Sequence, residues 1–169
     1  MRVYLLRHGI AAPHDPRQND DSRALTPEGK KKMKTAARGM KSLDLRIDRI
    51  LSSPLVRCRE TAGAVSEALE IAAETLYTPA LAPATKSAEM LRQLLHLPAS
   101  SSILLVGHEP SLSHFASFLL TGQDRSLSLA FKKGGLCRID FTGKPRSAGG
   151  TLVFHLPPRA LRRAAGKSS

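Results

Sequence analysis

The sequence contains no tryptophan, and its few phenylalanines and tyrosines amount to only 4% of the chain. Flat side chains for stacking exposed bases are therefore scarce, which argues against a single-stranded nucleic-acid platform. Cysteine is limited to 2 residues, Cys58 and Cys137. They lie too far apart for a zinc knuckle, and without a secretory signal a disulfide is not expected, so both read as buried filler. Long apolar runs are also missing. The opening run Val3 to Leu6 stops at Arg7, far short of a signal-peptide core or a membrane span. The cytoplasm is the expected compartment. There is no Walker loop, no GxGxxG and no HExxH. A metal set drawn from His8, His108, Asp15 and Glu109 lacks paired-ligand spacing, so neither a metal nor another cofactor is expected.

Acidic residues are scarce relative to basic ones: Asp and Glu total 14 against 26 Lys and Arg, a net charge of +12. Such a field attracts anions of every kind, including phosphates, acidic proteins and nucleic acid. Nucleic acid is set aside because no finger spacing or RRM-type aromatic motif accompanies the charge. Part of the excess lies in solvated runs, Lys30-Lys31-Lys32 and Arg159 to Lys167. At 169 residues the chain fits one domain, expected over 1–158, with a basic tail at 159–169 that is solvated or frayed.

The pattern along the chain alternates. Arg2 to Leu6 reads as a buried strand, and residues 10–24, rich in Pro, Asn and Asp, as a loop. Thr26 followed by Pro27 and Glu28 marks a helix start, and Met33, Ala36, Ala37 and Met40 give that helix one buried face. Ile50-Leu51 is a short strand. A helix follows from about Leu55 to Leu69, with Ala62, Val65 and Leu69 on one face, then a strand and loop within 71–83. Ser87 to Leu95 predicts a helix with Met90, Leu91, Leu94 and Leu95 inward. Ile103 to Val106 is an unbroken apolar run, as in a central strand covered on both faces. Ser111 to Leu120 predicts a helix buried through Leu112, Phe115, Ala116 and Leu119. Residues 136–141 and 151–156 read as an antiparallel hairpin at the sheet's edge. The expected fold is α/β: a three-layer sandwich, its central sheet mostly parallel and flanked by helices.

Three segments sit at predicted strand ends: Arg7-His8-Gly9, Ser53-Pro54-Leu55-Val56-Arg57 and Gly107-His108-Glu109. Ligands of parallel α/β sheets gather beyond the carboxyl ends of the strands, so Arg7, His8, Arg57 and His108 should converge. That set suits phosphoryl transfer. A neutral imidazole can attack phosphorus near pH 7, guanidinium forks hold the non-bridging oxygens, and a second imidazole adds a hydrogen bond. Positioning and electrostatic support are most of what the reaction requires.

These residues, in this order, resemble the histidine phosphatase superfamily, the group that includes the phosphoglycerate mutases. The likeness extends to Leu25-Thr26-Pro27-Glu28-Gly29 and Arg59-Glu60-Thr61-Ala62 and covers roughly 1–156. It is nearest to the short phosphohistidine phosphatases of the SixA type. The resemblance implies a phosphoglycerate mutase-like fold and a metal-independent phosphatase. His8 would be the phosphorylated nucleophile, and Arg7, Arg57 and His108 the phosphate pocket. The implied partner is a phosphorylated signalling or phosphotransfer protein, such as a histidine-phosphotransfer domain. Larger relatives carry a glutamate proton donor. Glu89, on the inward face of its predicted helix, and Glu109, beside His108, are the candidates here, and neither is assigned. A phosphatase or mutase for small phosphomonoesters, or a basic binding module, is the alternative function.

Overall fold

A computed structural model describes residues 1–17 and 19–166. Strands β1 (Arg2–Arg7), β2 (Arg49–Ser52), β3 (Leu76–Tyr77), β4 (Ser102–Gly107), β5 (Leu136–Asp140) and β6 (Thr151–Leu156) form one sheet in the order β3-β2-β4-β1-β5-β6. The pairs β3-β2, β2-β4 and β4-β1 are parallel, while β1-β5 and β5-β6 are antiparallel. The sheet is thus mostly parallel, with the expected hairpin at one edge. Helices α1 (Pro27–Ser42), α2 (Val56–Leu69), α3 (Ser87–Leu95), α4 (Ser111–Thr121) and α5 (Pro158–Ala164) cover it.

Two apolar layers follow from the period-2 alternation of the central strands. Val3, Leu5, Ile103 and Leu105 face a cluster with Met90 and Leu94 of α3 and Leu112, Phe115 and Leu119 of α4. Tyr4, Leu6, Leu104 and Val106 face the opposite cluster, with Met33 and Met40 of α1, Val65 of α2 and Leu161 of α5. Cys137 belongs to the first cluster and Cys58 to the second, so the sheet separates them and both are free thiols. Burial pushes each thiol up to about 12, as expected of unreactive filler.

Helix α1 begins as its sequence dictates: the Thr26 hydroxyl accepts from the Gly29 amide at 2.9 Å, and Pro27 opens the first turn. Gly29 is required by a close approach, since a Cβ there would lie 2.0 Å from the Ile10 carbonyl oxygen.

Two expectations are corrected. Leu95 is 38% exposed rather than inward, because the buried face of α3 runs through Ser87, Met90 and Leu94. Residues 159–164, taken as the start of a solvated or frayed tail, belong to α5. Pro158 starts this helix, Leu161 is fully buried, and its carbonyl oxygen packs where a Cβ on Gly39 of α1 would fall. Residues 167–169 lie outside the described part. Among the described residues, no helix is long and apolar enough to cross a membrane.

Candidate active site

Adjacent parallel strands β1 and β4 send their connecting helices to opposite faces: α1 packs in the Tyr4 layer and α4 in the Val3 layer. A crevice opens at such a switch point, beyond the strands' carboxyl ends. Register fixes what lines it, because Arg7 pairs with Gly107 and Ser52 with Val106. The His8 amide continues the ladder onto Gly107 O at 3.1 Å, and the Ser53 amide onto Val106 O at 3.0 Å. His8 and His108 therefore emerge side by side, with ring centroids 5.1 Å apart.

His8 is 5% exposed. Its Nδ1 lies 2.8 Å from Gly9 O, and since a carbonyl only accepts, Nδ1 carries the proton and Nε2 keeps its lone pair. Burial, opposed by the Gly9 bond and reinforced by Arg57, Arg7 and Lys133, lowers its pKa to about 4. The Gly9 amide donates to Thr61 Oγ1 at 3.0 Å, and that hydroxyl donates to Arg57 O at 2.7 Å. This ties the loop after β1 to the first turns of α2. A Cβ on Gly9 would lie 2.6 Å from Met33 Cγ, so the ring is fixed by a packed backbone.

His108, 3% exposed, shares a hydrogen bond of 2.9 Å between Nε2 and Ser53 Oγ, with Cys58 Sγ 3.4 Å away. Burial, then the neighbouring His8 and Arg57, lowers its pKa to about 3. Both rings are neutral near pH 7.

The two arginines are held by their terminal nitrogens. Arg7 Nη1 donates to Phe131 O at 2.6 Å. Arg57 Nη1 and Nη2 donate to Asp20 O and Asp20 Oδ2, each at 2.8 Å. The Nε of each arginine is buried and has no hydrogen-bond partner among the described residues. Two orphaned cationic N–H groups, with a neutral imidazole whose Nε2 keeps its lone pair, are a donor set chemically suited to an oxyanion.

Of the two candidate acids, one is exposed and the other engaged. Glu89 is exposed on α3, because the helix buries Ser87 and Met90 and turns the two residues between them outward. Glu109 is half-buried and its oxygens are engaged, Oε2 by Ser113 Oγ at 2.6 Å and Oε1 by the Phe131 amide at 3.2 Å. Asp15 is bound by Arg17 through Nε and Nη2 at 3.0 and 2.9 Å. Among the described residues, no three His, Cys, Asp or Glu side chains gather as a metal site.

Sequence reasoning missed Asp20, the Phe131 carbonyl and Lys133. Asp20 lay in an apparently featureless loop. Phe131 contributes a backbone atom, which no side-chain motif reveals. The Lys133-Gly134-Gly135 run was a usable signal: Gly134, at φ +79°, donates its amide to Arg7 O and His8 O at 3.0 and 3.1 Å, so the segment before β5 wraps the site.

The model of the histidine phosphatase superfamily (branch 1) matches residues 3–83. An uncharacterized protein of Picosynechococcus is 34% identical over 138 residues, 80% of this chain and 82% of the relative. The phosphohistidine phosphatase SixA of Escherichia coli is 25% identical over 166 residues, covering 97% of this chain and 98% of that protein. The structure of the protein histidine phosphatase SixA complexed with tungstate superposes with a TM-score of 0.79 at 24% identity, covering 95% of this chain and 99% of that one.

Proposed function

The chain belongs to the histidine phosphatase superfamily, and from that premise we propose that this phosphatase hydrolyses phosphohistidine on a partner protein, with His8 as its nucleophile. The observation that carries the reading is the Nδ1 bond to Gly9 O at 2.8 Å, which leaves Nε2 unprotonated beside two arginines with orphaned Nε–H groups.

In the first step the Nε2 lone pair forms a bond to phosphorus as the substrate's P–N bond breaks. Arg7 and Arg57 hold the non-bridging oxygens. His108, neutral in the free enzyme, gains protonation tendency as the phosphoryl anion arrives, because an opposite charge favours the imidazolium. In the second step water attacks phospho-His8, the new P–N bond breaks, and phosphate leaves. The charge that a metal supplies in other phosphatases comes here from guanidinium and imidazole groups.

The substrate class follows from the acids. A departing imidazole needs a proton on its far nitrogen, which solvent supplies near its pKa of about 6.5. An alkoxide needs a positioned acid. Glu89 points to solvent and Glu109 is engaged by two donors. Asp20 is partly desolvated, yet Arg57 and Arg23 outweigh that and hold its carboxyl below the usual carboxylate range. A phosphorylated protein, such as a histidine-phosphotransfer domain, therefore fits this site better than a small phosphomonoester.

Rapid mixing with labelled phosphohistidine protein in EDTA, followed by an alkaline quench, tests the reading. It predicts an acid-labile label on His8 that His8→Ala abolishes. Equal labelling of both proteins, or loss of turnover in EDTA, contradicts it.

A further inference from the structure

We propose that Asp20 is a positioning residue of this site, acting through Arg57; the inference rests on the phosphatase reading above. Asp20 lies in a 3-10 turn, Asp20–Ser22, within the loop between β1 and α1. It reaches Arg57 of α2 twice, once with its backbone oxygen and once with Oδ2, both at 2.8 Å. Two acceptors from one residue fix the plane of the guanidinium, where a single acceptor would leave it free to swing.

Asp20 is itself held. Arg23 Nε donates to Oδ1 at 2.9 Å, and Arg23 Nη1 donates to Ala12 O at 3.0 Å. The loop is closed at its base by an antiparallel bridge between Ala11 and Leu25, and the Leu25 amide donates to Glu60 Oε2 of α2 at 2.7 Å. The two carboxylate oxygens are thus divided, Oδ1 to Arg23 and His14 and Oδ2 to Arg57.

The consequence lies in what remains free. The Arg57 side chain is 3% exposed, both of its terminal nitrogens are bonded to Asp20, and its Nε–H is buried without a partner among the described residues. Arg7 shares only part of the arrangement, with one terminal nitrogen on Phe131 O and an Nε that has no partner among the described residues. Asp20 thus secures the Arg57 guanidinium by its end and reserves the Nε edge, the geometry that an oxyanion takes side-on. A preorganised donor stabilises developing charge without reorganising during the reaction. A carboxylate touching a phosphate-binding arginine would otherwise compete with substrate, and its engagement at the far edge of the fork reconciles the two.

The test is a double-mutant cycle on the full chain, with Asp20→Ala, Asp20→Asn, Arg57→Ala and the Asp20→Ala/Arg57→Ala pair. Inhibition by tungstate and kcat/KM on a phosphohistidine protein are the readouts, with thermal melts alongside. Asp20→Ala should weaken tungstate binding and lower kcat/KM at least ~10-fold, approaching the roughly 10²–10³ of a preorganised donor lost outright. Asp20→Asn, which keeps an acceptor oxygen, should fall between it and wild type. The pair should be no worse than Arg57→Ala within about twofold, since a residue acting only through Arg57 has nothing left to position. Additive losses in the pair overturn the inference, as does Asp20→Ala within about twofold of wild type. Tighter tungstate binding by Asp20→Ala also overturns it, because the carboxylate would then be a competitor. Should Asp20→Ala melt early, Asp20→Asn paired with Arg57→Ala carries the same comparison. Loss in Arg57→Ala alone leaves the phosphatase reading standing, whereas no loss in Arg57→Ala removes both.

Discussion

At the scale of single residues, His8 has its tautomer and its charge set by different neighbours. Gly9 O fixes the proton on Nδ1, while burial and three nearby cations keep the ring neutral. Titration of the isotope-labelled imidazoles by NMR should show His8 neutral down to about pH 4 and His108 to about pH 3, with Nε2 the unprotonated nitrogen of His8. A midpoint for His8 near the ordinary imidazole value contradicts the account. The sign for stability follows. The unfolded chain takes up these protons near pH 6.5 while the folded chain resists until about 4 and 3. Unfolding free energy should therefore fall as pH drops through that window, by up to about 1.4 kcal/mol per pH unit for each ring. Arg7, His8, Arg57 and His108 were legible in the sequence because each follows a strand end within a short motif. Asp20 was not, since its partner Arg57 is 37 positions away and no local pattern links them.

At the scale of elements, the site depends on where strands stop and helices start. β1, β2 and β4 end in register, and the Thr61 hydroxyl locks α2 to the loop after β1. The strands were legible from apolar runs bounded by polar or Gly-containing segments. Helix faces were legible where spacing was regular, as with Met33, Ala36, Ala37 and Met40, all buried. They were less so at a helix end, where Leu95 turns outward. Helix α5 was hidden by its composition: three arginines surround its one buried leucine, and a seven-residue helix gives too few positions for periodicity to register. Leu161→Ala should reveal this packing as a loss of about 2–5 kcal/mol in denaturant unfolding, with kcat on small substrates nearly unchanged. A loss below about 0.5 kcal/mol, the level of a surface substitution, would show that α5 adds nothing to the fold.

At the scale of the whole molecule, the sheet places two neutral imidazoles and two anchored arginines in one crevice, on a chain of net charge +12. The surplus of positive charge was legible from composition. What composition could not show is how the acids are distributed. Asp20 is committed to Arg57 and Arg23, Glu109 to Ser113 and the Phe131 amide, and Glu89 to solvent, so on the proposed reading none of these three serves a leaving group. The central claim, that this is a phosphohistidine phosphatase, is tested most directly by measuring kcat/KM on one peptide sequence phosphorylated at histidine and, separately, at serine. A missing general acid handicaps the alkoxide by about 10²–10⁴, so the account predicts that phosphohistidine is preferred by a margin of that order. Equal rates, or faster cleavage of phosphoserine, would contradict it.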